Sequence, residues 1–477
     1  MDYISTRGMS PAVDSAQAVL NGLAPDGGLY VPKSIPAFDW QECLQKSSQG
    51  MSEMILSALL PDIPDMSELV KKAYTGKFET EDLTPSVAVG NMTVCELFRG
   101  PTSAFKDVAL SMLPQLLTAA KKEKGIQEEI RILTATSGDT GKAALVGFQD
   151  VPGVSICVFY PQGGVSQVQR AQMVTQEGGN VSVCAVEGNF DDAQTGVKQI
   201  FTAFQGKELP FLLSSANSIN IGRLAPQIMY YFRCYADLLN RKVITLGDAV
   251  DFCVPTGNFG DILAGYFAKK LGLPVGRLIC ASNANNVLTE FLTTGIYDRR
   301  RPLHKTTSPS MDILVSSNLE RLLYLLSGDQ ALVAVLMEDL SQKGYYQVPE
   351  ELLAAIQKEF GAGCCDDETA KETIGKVYKA QGYLMDPHTA CAWAVAEGHR
   401  GEAPMVVLST ASPYKFSSAV LSAIGGDVSG SEFERMDRLQ ALTGVPIPPN
   451  LRSLRGKPEL HTDVIPKEQM PDYVLRR

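Results

Sequence analysis

Residues 96 to 107 read ELFRGPTSAFKD and set one lysine, Lys106, behind a Gly-Pro turn, two small hydroxyl residues and an aromatic. An apolar run, VALSMLPQLLTAA, follows almost at once, so the pattern predicts an amine at the first turn of a helix. Unpaired backbone N–H groups there create positive potential, and burial beside Phe105 adds desolvation. Both effects disfavour the ammonium form. A lysine tuned in this way is a nucleophile toward carbonyls, and the carbonyl that most often meets such an amine is that of pyridoxal phosphate. Taken alone, the segment also suits a lysine that merely solvates a helix start.

Three further loops carry groups suited to anions. TATSGDTGKAAL, residues 134 to 145, turns through Ser137, Gly138, Asp139, Thr140 and Gly141, where backbone N–H groups and two hydroxyls could approach an anion at a helix start. Asp139 or Thr140 could equally serve there as an ordinary helix cap. VPTGNFGDILAGYFAKK, residues 254 to 270, places Gly257, Asn258, Phe259, Gly260 and Asp261 between an apolar strand and an apolar helix. It lacks the spacing of a nucleotide P-loop, so a monophosphate suits it better than a triphosphate. SSANSINIGR ends in Arg223, whose planar fork grips phosphate or carboxylate oxygens, with Asn217, Ser218 and Asn220 as neutral donors beside it. LSTASPYKF, residues 408 to 416, adds Ser409 and Thr410 at the end of a strand. One lysine, two helix-start anion sites and an Arg/Asn cluster together point to a phosphorylated cofactor and a separately bound phosphorylated substrate.

The elements that must position these groups alternate. From about residue 93, apolar strands (TVCELF, IRILTAT, VSICVFYP, VSVCAV, DFCVPTG, GRLICASN, MVVLSTAS) exchange with helices, which predicts α/β architecture with parallel sheets covered on both faces. Ligands in such folds lie beyond the carboxyl ends of the strands, where these loops fall. Residues 1–92 read instead as a mostly helical unit, with SAQAVLNGL, MSEMILSALL and MSELVKKAY between Pro/Gly-rich loops. The expected division is 1–92, a catalytic core over 93–430, and a C-terminal extension over 431–477 whose role is not legible, in keeping with about three units for 477 residues.

A net charge of −10 repels nucleic acid and anionic membrane surfaces, so any anionic ligand needs a local positive site. No signal peptide or membrane span is readable, and ten scattered cysteines show neither zinc spacing nor a disulfide framework, which predicts a cytoplasmic protein with reduced thiols and no metal site.

ELFRGPTSAFKD, TATSGDTG, NSINIGR, PTGNFGD, DPHTA at 386 to 390 and STASPYKF occur in that framework together with SAQAVLNGLAPDGGLYVP near the start. The set resembles threonine synthase from about residue 5 to about 420. The resemblance implies a fold-type II pyridoxal phosphate enzyme, with a tryptophan synthase β-like core of two parallel-sheet subdomains and an added N-terminal domain. It implies that Lys106 carries the Schiff base and that Gly257, Asn258, Phe259, Gly260 and Asp261 bind the cofactor phosphate. Thr410 would face the pyridine nitrogen and Asp139 would lie near the cofactor ring. Ser137, Thr140, Asn217, Ser218 and Arg223 would hold the substrate phosphate, and His388 matches a family position. The chain departs from the family at Arg99 and Ser412, where histidine is frequent, and Arg99 could strengthen anion binding or alter substrate preference. The implied reaction converts O-phospho-L-homoserine and water into L-threonine and phosphate, in a monomeric enzyme. A phospho-lyase releasing 2-oxobutyrate or pyruvate, or a silent pyridoxal phosphate-binding protein, would share most of these residues.

Overall fold

A computed structural model describes residues 1–204 and 206–476. Two sheets organise it. The larger has six strands in the order Phe360–Cys364, Val275–Ser282, Val250–Pro255, Met405–Ser409, Met92–Glu96 and Ser86–Val89. All neighbours are parallel except the last pair, a hairpin that begins ahead of residue 93. The smaller sheet is wholly parallel, in the order Val464–Ile465, Val181–Val186, Val154–Pro161, Glu129–Ala135 and Phe211–Ser215. The chain is therefore α/β with two parallel-sheet bodies, as its alternating pattern predicts.

Their strands are nearly continuous apolar runs, as strands buried on both faces must be: VDFCVP is buried at every residue and VSICVFYP at all but one. The helix Lys106–Glu123 runs between the units. Val108, Leu110, Leu113, Leu116 and Leu117 are inaccessible in it, and it packs on the helices Ser15–Asn21, Met66–Tyr74 and Asp139–Phe148. That packing is close, since a Cβ added to Gly147 would stand 2.0 Å from the Leu110 carbonyl oxygen.

The N-terminal unit contains the expected helices, Ser15–Asn21, Ser48–Leu59 and Met66–Tyr74, and also a three-stranded antiparallel sheet of Val13–Asp14, Asp2–Ser5 and Tyr30–Pro32. At the other end, strand Val464–Ile465 extends the smaller sheet, and helix Met470–Arg476 buries Met470 and Val474 in the cluster formed by Leu133, Phe159 and Val186. Among the described residues no helix is long and apolar enough to cross a membrane.

Candidate active site

The two sheets present their carboxyl ends to one crevice. Lys106 opens its helix and is buried, 8% exposed, and its Nζ lies 4.9 Å from the centre of the Phe105 ring. Burial pulls its pKa down to about 8. Asp139 and Asp107 oppose that fall, whereas Lys415 and Arg223 reinforce it. The amine donates to Ser310 Oγ at 3.3 Å. At neutral to mildly alkaline pH a sizeable fraction of this amine is unprotonated and able to attack a carbonyl.

The loop that delivers Lys106 is held from several sides. Asp107 accepts from the Thr102 N–H at 2.9 Å, from the Thr102 hydroxyl and from the Ala104 N–H at 3.4 Å, and burial raises its pKa to about 6. The Phe105 N–H donates to the Thr410 carbonyl at 2.9 Å, and the Ser412 N–H donates to the Ser103 carbonyl at 3.2 Å. Thr410 and Lys106 thus stand together because strand Met405–Ser409 is the neighbour of Met92–Glu96. Ser103, at φ 58, occupies the left-handed region without being glycine.

Asp139 does not cap its helix. Gly138 is the capping residue and makes no side-chain cap, while Thr136 Oγ1 accepts from the N–H groups of Gly138 and Gly141 at 3.0 and 2.9 Å. The Asp139 carboxylate instead pairs with Lys415 at 2.6 Å and accepts from Gln169 at 3.0 Å, and it is held well below the ordinary carboxylate range despite the opposing effect of burial. Lys415 is itself buried, and it also donates to the Thr102 carbonyl at 3.3 Å. Sequence reasoning passed over Lys415, Gln169 and Thr136. The available signal for Lys415 was a second lysine closing a Ser/Thr-rich loop at a strand end, the setting that marked Lys106.

Gly257, Asn258, Phe259 and Gly260 turn from strand Val250–Pro255 into helix Gly260–Lys270, with Phe259 at φ 61. A Cβ on Gly257 would come within 2.5 Å of the Ser310 carbonyl oxygen, so the glycine lets the segment that touches Lys106 also lie against this turn. The Ser316 hydroxyl donates to the Gly257 carbonyl at 2.7 Å and Asn318 donates to the Asn258 carbonyl at 3.0 Å, leaving the N–H groups of the turn for an anion. The Asp261 side chain turns to Tyr231, whose hydroxyl lies 3.1 Å from Oδ1, and burial raises its pKa to about 7.

Arg223 is 4% exposed, donates to the Ala216 carbonyl at 2.6 Å and has an unpartnered Nε. Burial pulls its pKa down to about 10, and among the described residues no carboxylate pairs with it. A buried guanidinium with spare donors, near enough to Lys106 to depress its pKa, is arranged for an incoming anion. Thr140 and Ser218 are half-buried, and Ser137 and Asn217 are exposed at the rim. Asn220 does not join them. Its amide donates to the Val19 carbonyl at 2.8 Å and its oxygen caps Gly222, so its polar groups are spent on the fold. Arg99 is equally occupied, held by Glu96 at 2.6 Å and Glu79 at 3.0 Å. Ser412 caps the turn Pro413–Phe416 through the Tyr414 N–H at 3.3 Å.

The residues present fit pyridoxal phosphate: a buried amine of lowered pKa for the aldehyde, and an open glycine cradle at a helix start for the phosphate. Comparison with known proteins agrees. The family model for the threonine synthase N terminus matches residues 2–74, that for pyridoxal-phosphate-dependent enzymes matches 84–411, and that for the threonine synthase C-terminal region matches 389–470. Threonine synthase of Pseudomonas aeruginosa is 42% identical over 436 residues, covering 89% of this chain and 90% of the relative. Human threonine synthase-like 1 is 38% identical over 452 residues, 88% of this chain, and the match spans 60% of the human protein. The crystal structure of pyridoxal phosphate-bound threonine synthase from Brucella melitensis superposes with a TM-score of 0.88 at 39% identity, covering 100% of this chain and 99% of that one. This chain belongs to the threonine synthase family of pyridoxal-phosphate-dependent enzymes.

Proposed function

We propose that the protein converts O-phospho-L-homoserine and water into L-threonine and phosphate. The observation that carries the reading is Arg223, a buried guanidinium with an unpartnered Nε beside the Lys106 amine, where a second phosphate would sit apart from the cofactor's cradle.

Pyridoxal phosphate, when bound, supplies an electron sink conjugated with the α carbon of the substrate. The N–H groups of the Gly257–Asp261 turn would hold its phosphate, Asp261 contributing through its backbone, and the Thr410 hydroxyl would meet its ring nitrogen. A neutral hydroxyl does not enforce protonation of that nitrogen, which favours elimination over transamination. Asp139, fixed by Lys415, would lie beside the ring. The Lys106 amine, with a pKa near 8, would both take and return the proton at the substrate's α carbon. Arg223, with Ser137, Thr140, Asn217 and Ser218, stabilises the charge that grows on the departing phosphate.

Nine of the ten cysteines are buried, which supports a reducing cytoplasm, and we take the working form to be a monomer. Incubation with O-phospho-L-homoserine should yield threonine and phosphate in equal amounts. Formation of 2-oxobutyrate and ammonia instead would assign the phospho-lyase reaction, which the human threonine synthase-like 1 relatives keep in view.

A further inference from the structure

We infer that Ser310 is a further catalytic residue, a hydroxyl that orients the Lys106 amine, and that Asp386 and His388 are the positioning residues that set it there. The inference rests on Lys106 being the reactive amine and on nothing about the substrate.

Ser310 belongs to the short turn Pro309–Met311, far from Lys106 in sequence. Its Oγ accepts from Lys106 Nζ at 3.3 Å, and its backbone N–H donates to His388 Nε2 at 3.2 Å. The imidazole can accept there only with its other nitrogen protonated, and the structure supplies the reason: Nδ1 lies 2.7 Å from Asp386 Oδ1. His388 is 1% exposed, Asp386 is inaccessible, and the ring packs edge-on against Phe416. Asp386 is locked in turn, since it caps the helix Pro387–His399 through the N–H groups of His388 and Thr389 and accepts the Thr389 hydroxyl. The rest of the segment is tied down as well. Asp312 accepts from Asn283 at 2.8 Å, Asn285 at 3.0 Å and the Thr306 hydroxyl at 2.7 Å. A chain of three groups, Asp386 and His388 buried and Ser310 half-buried, thus ends on the one nitrogen that must attack, leave and return.

The hydrogen bond has a chemical consequence. A single acceptor fixes rotation about the Cε–Nζ bond and so aims the lone pair, and it stabilises the ammonium form that exists while Lys106 holds a substrate proton. The other charged groups facing the amine are Asp139 from helix Asp139–Phe148, Lys415 from the turn Pro413–Phe416, Arg223 from helix Ile221–Leu224 and Asp107 on its own helix. They set the pKa of Lys106 but do not set its direction.

The test uses the full chain stripped of cofactor. Pyridoxal phosphate is added across a pH series, the adduct is fixed with borohydride, and the rate of labelling at Lys106 is read by mass spectrometry. Ser310→Ala should move the midpoint of the rate profile downward by about one pH unit, the equivalent of one hydrogen bond to a charged group. Ser310→Thr, which keeps the hydroxyl, should restore the wild-type midpoint. His388→Leu should behave as Ser310→Ala does, and His388→Gln, which keeps an acceptor, should recover part of the shift. An unchanged midpoint in Ser310→Ala, or equal shifts in the Ala and Thr variants, overturns the inference. Labelling requires no amino-acid substrate, so a wild-type protein that makes no threonine would sink the proposed reaction and leave this result standing.

Discussion

Asp139 and Arg223 divide the work of charge balance around Lys106. Asp139 is the largest of the effects that oppose the burial of that amine, and it is also the sole carboxylate partner of Lys415 among the described residues. Asp139→Asn keeps the shape and removes the charge. Labelling of Lys106 should then become faster at lower pH, with a midpoint below the present value of about 8, because a group that raised the amine's pKa is gone. Leaving Lys415 buried and uncompensated should cost about 3 kcal/mol of folding stability, read by urea unfolding. A midpoint that did not move would show that the Asp139 carboxylate does not act on Lys106. For Arg223→Ala we expect a loss of about 2 kcal/mol, roughly 30-fold, in affinity for phosphorylated substrate, with cofactor occupancy unaltered. Loss of cofactor instead would move Arg223 to the other phosphate site. Lys106 and Arg223 were legible in the sequence because each sits in a segment with unusual neighbours. Ser310 was not, because SPSMD carries no such mark and reaches the lysine only through tertiary packing.

At the scale of elements, the parallel strands were legible wherever an apolar run was long enough to be buried on both faces: VSICVFYP and VSVCAV appear over the residues their pattern predicts. Phe360–Cys364 was hidden by the two glycines in FGAGC, and Val464–Ile465 is too short to show a period. Both owe their conformation to a neighbouring strand already in place rather than to local preference. The loop from Gly100 to Phe105 is governed in the same non-local way. Asn450, from helix Pro449–Arg452 in the C-terminal extension, donates to the Pro101 carbonyl at 2.8 Å and lies 3.0 Å from the hydroxyl of Ser103, the residue held at φ 58. Asn450→Ala should therefore slow cofactor capture at Lys106 while lowering global stability by only about 1 kcal/mol. Asn450→Asp, which loses the donor and keeps the shape, should do the same. Capture at the wild-type rate in both variants would reduce Asn450 to a tie between two surface segments.

Across the whole molecule, both ends of the chain reach back to the crevice, by different routes. The N-terminal unit does so through the buried Arg321, whose Nε donates to the Tyr30 carbonyl at 3.0 Å while its partner Asn318 holds the Asn258 carbonyl of the glycine turn. The C-terminal extension splits the task. Its middle, at Asn450, touches the catalytic loop, and its last helix serves the smaller sheet, where Met470 is inaccessible against Gly196 and the Val474 carbonyl accepts from Arg131. That split makes the two contacts separable. Met470→Ala opens a cavity in an apolar cluster of the smaller sheet and should cost about 2–4 kcal/mol, seen as a lower urea midpoint. Protein that remains folded should nevertheless capture pyridoxal phosphate at Lys106 at the wild-type rate, whereas Asn450→Ala should show the opposite pairing of a small stability loss with slow capture. If Met470→Ala slowed capture in proportion to its loss of stability, the extension would act on the site as one body, and the smaller sheet, not the Asn450 contact, would be the element that sets the catalytic loop.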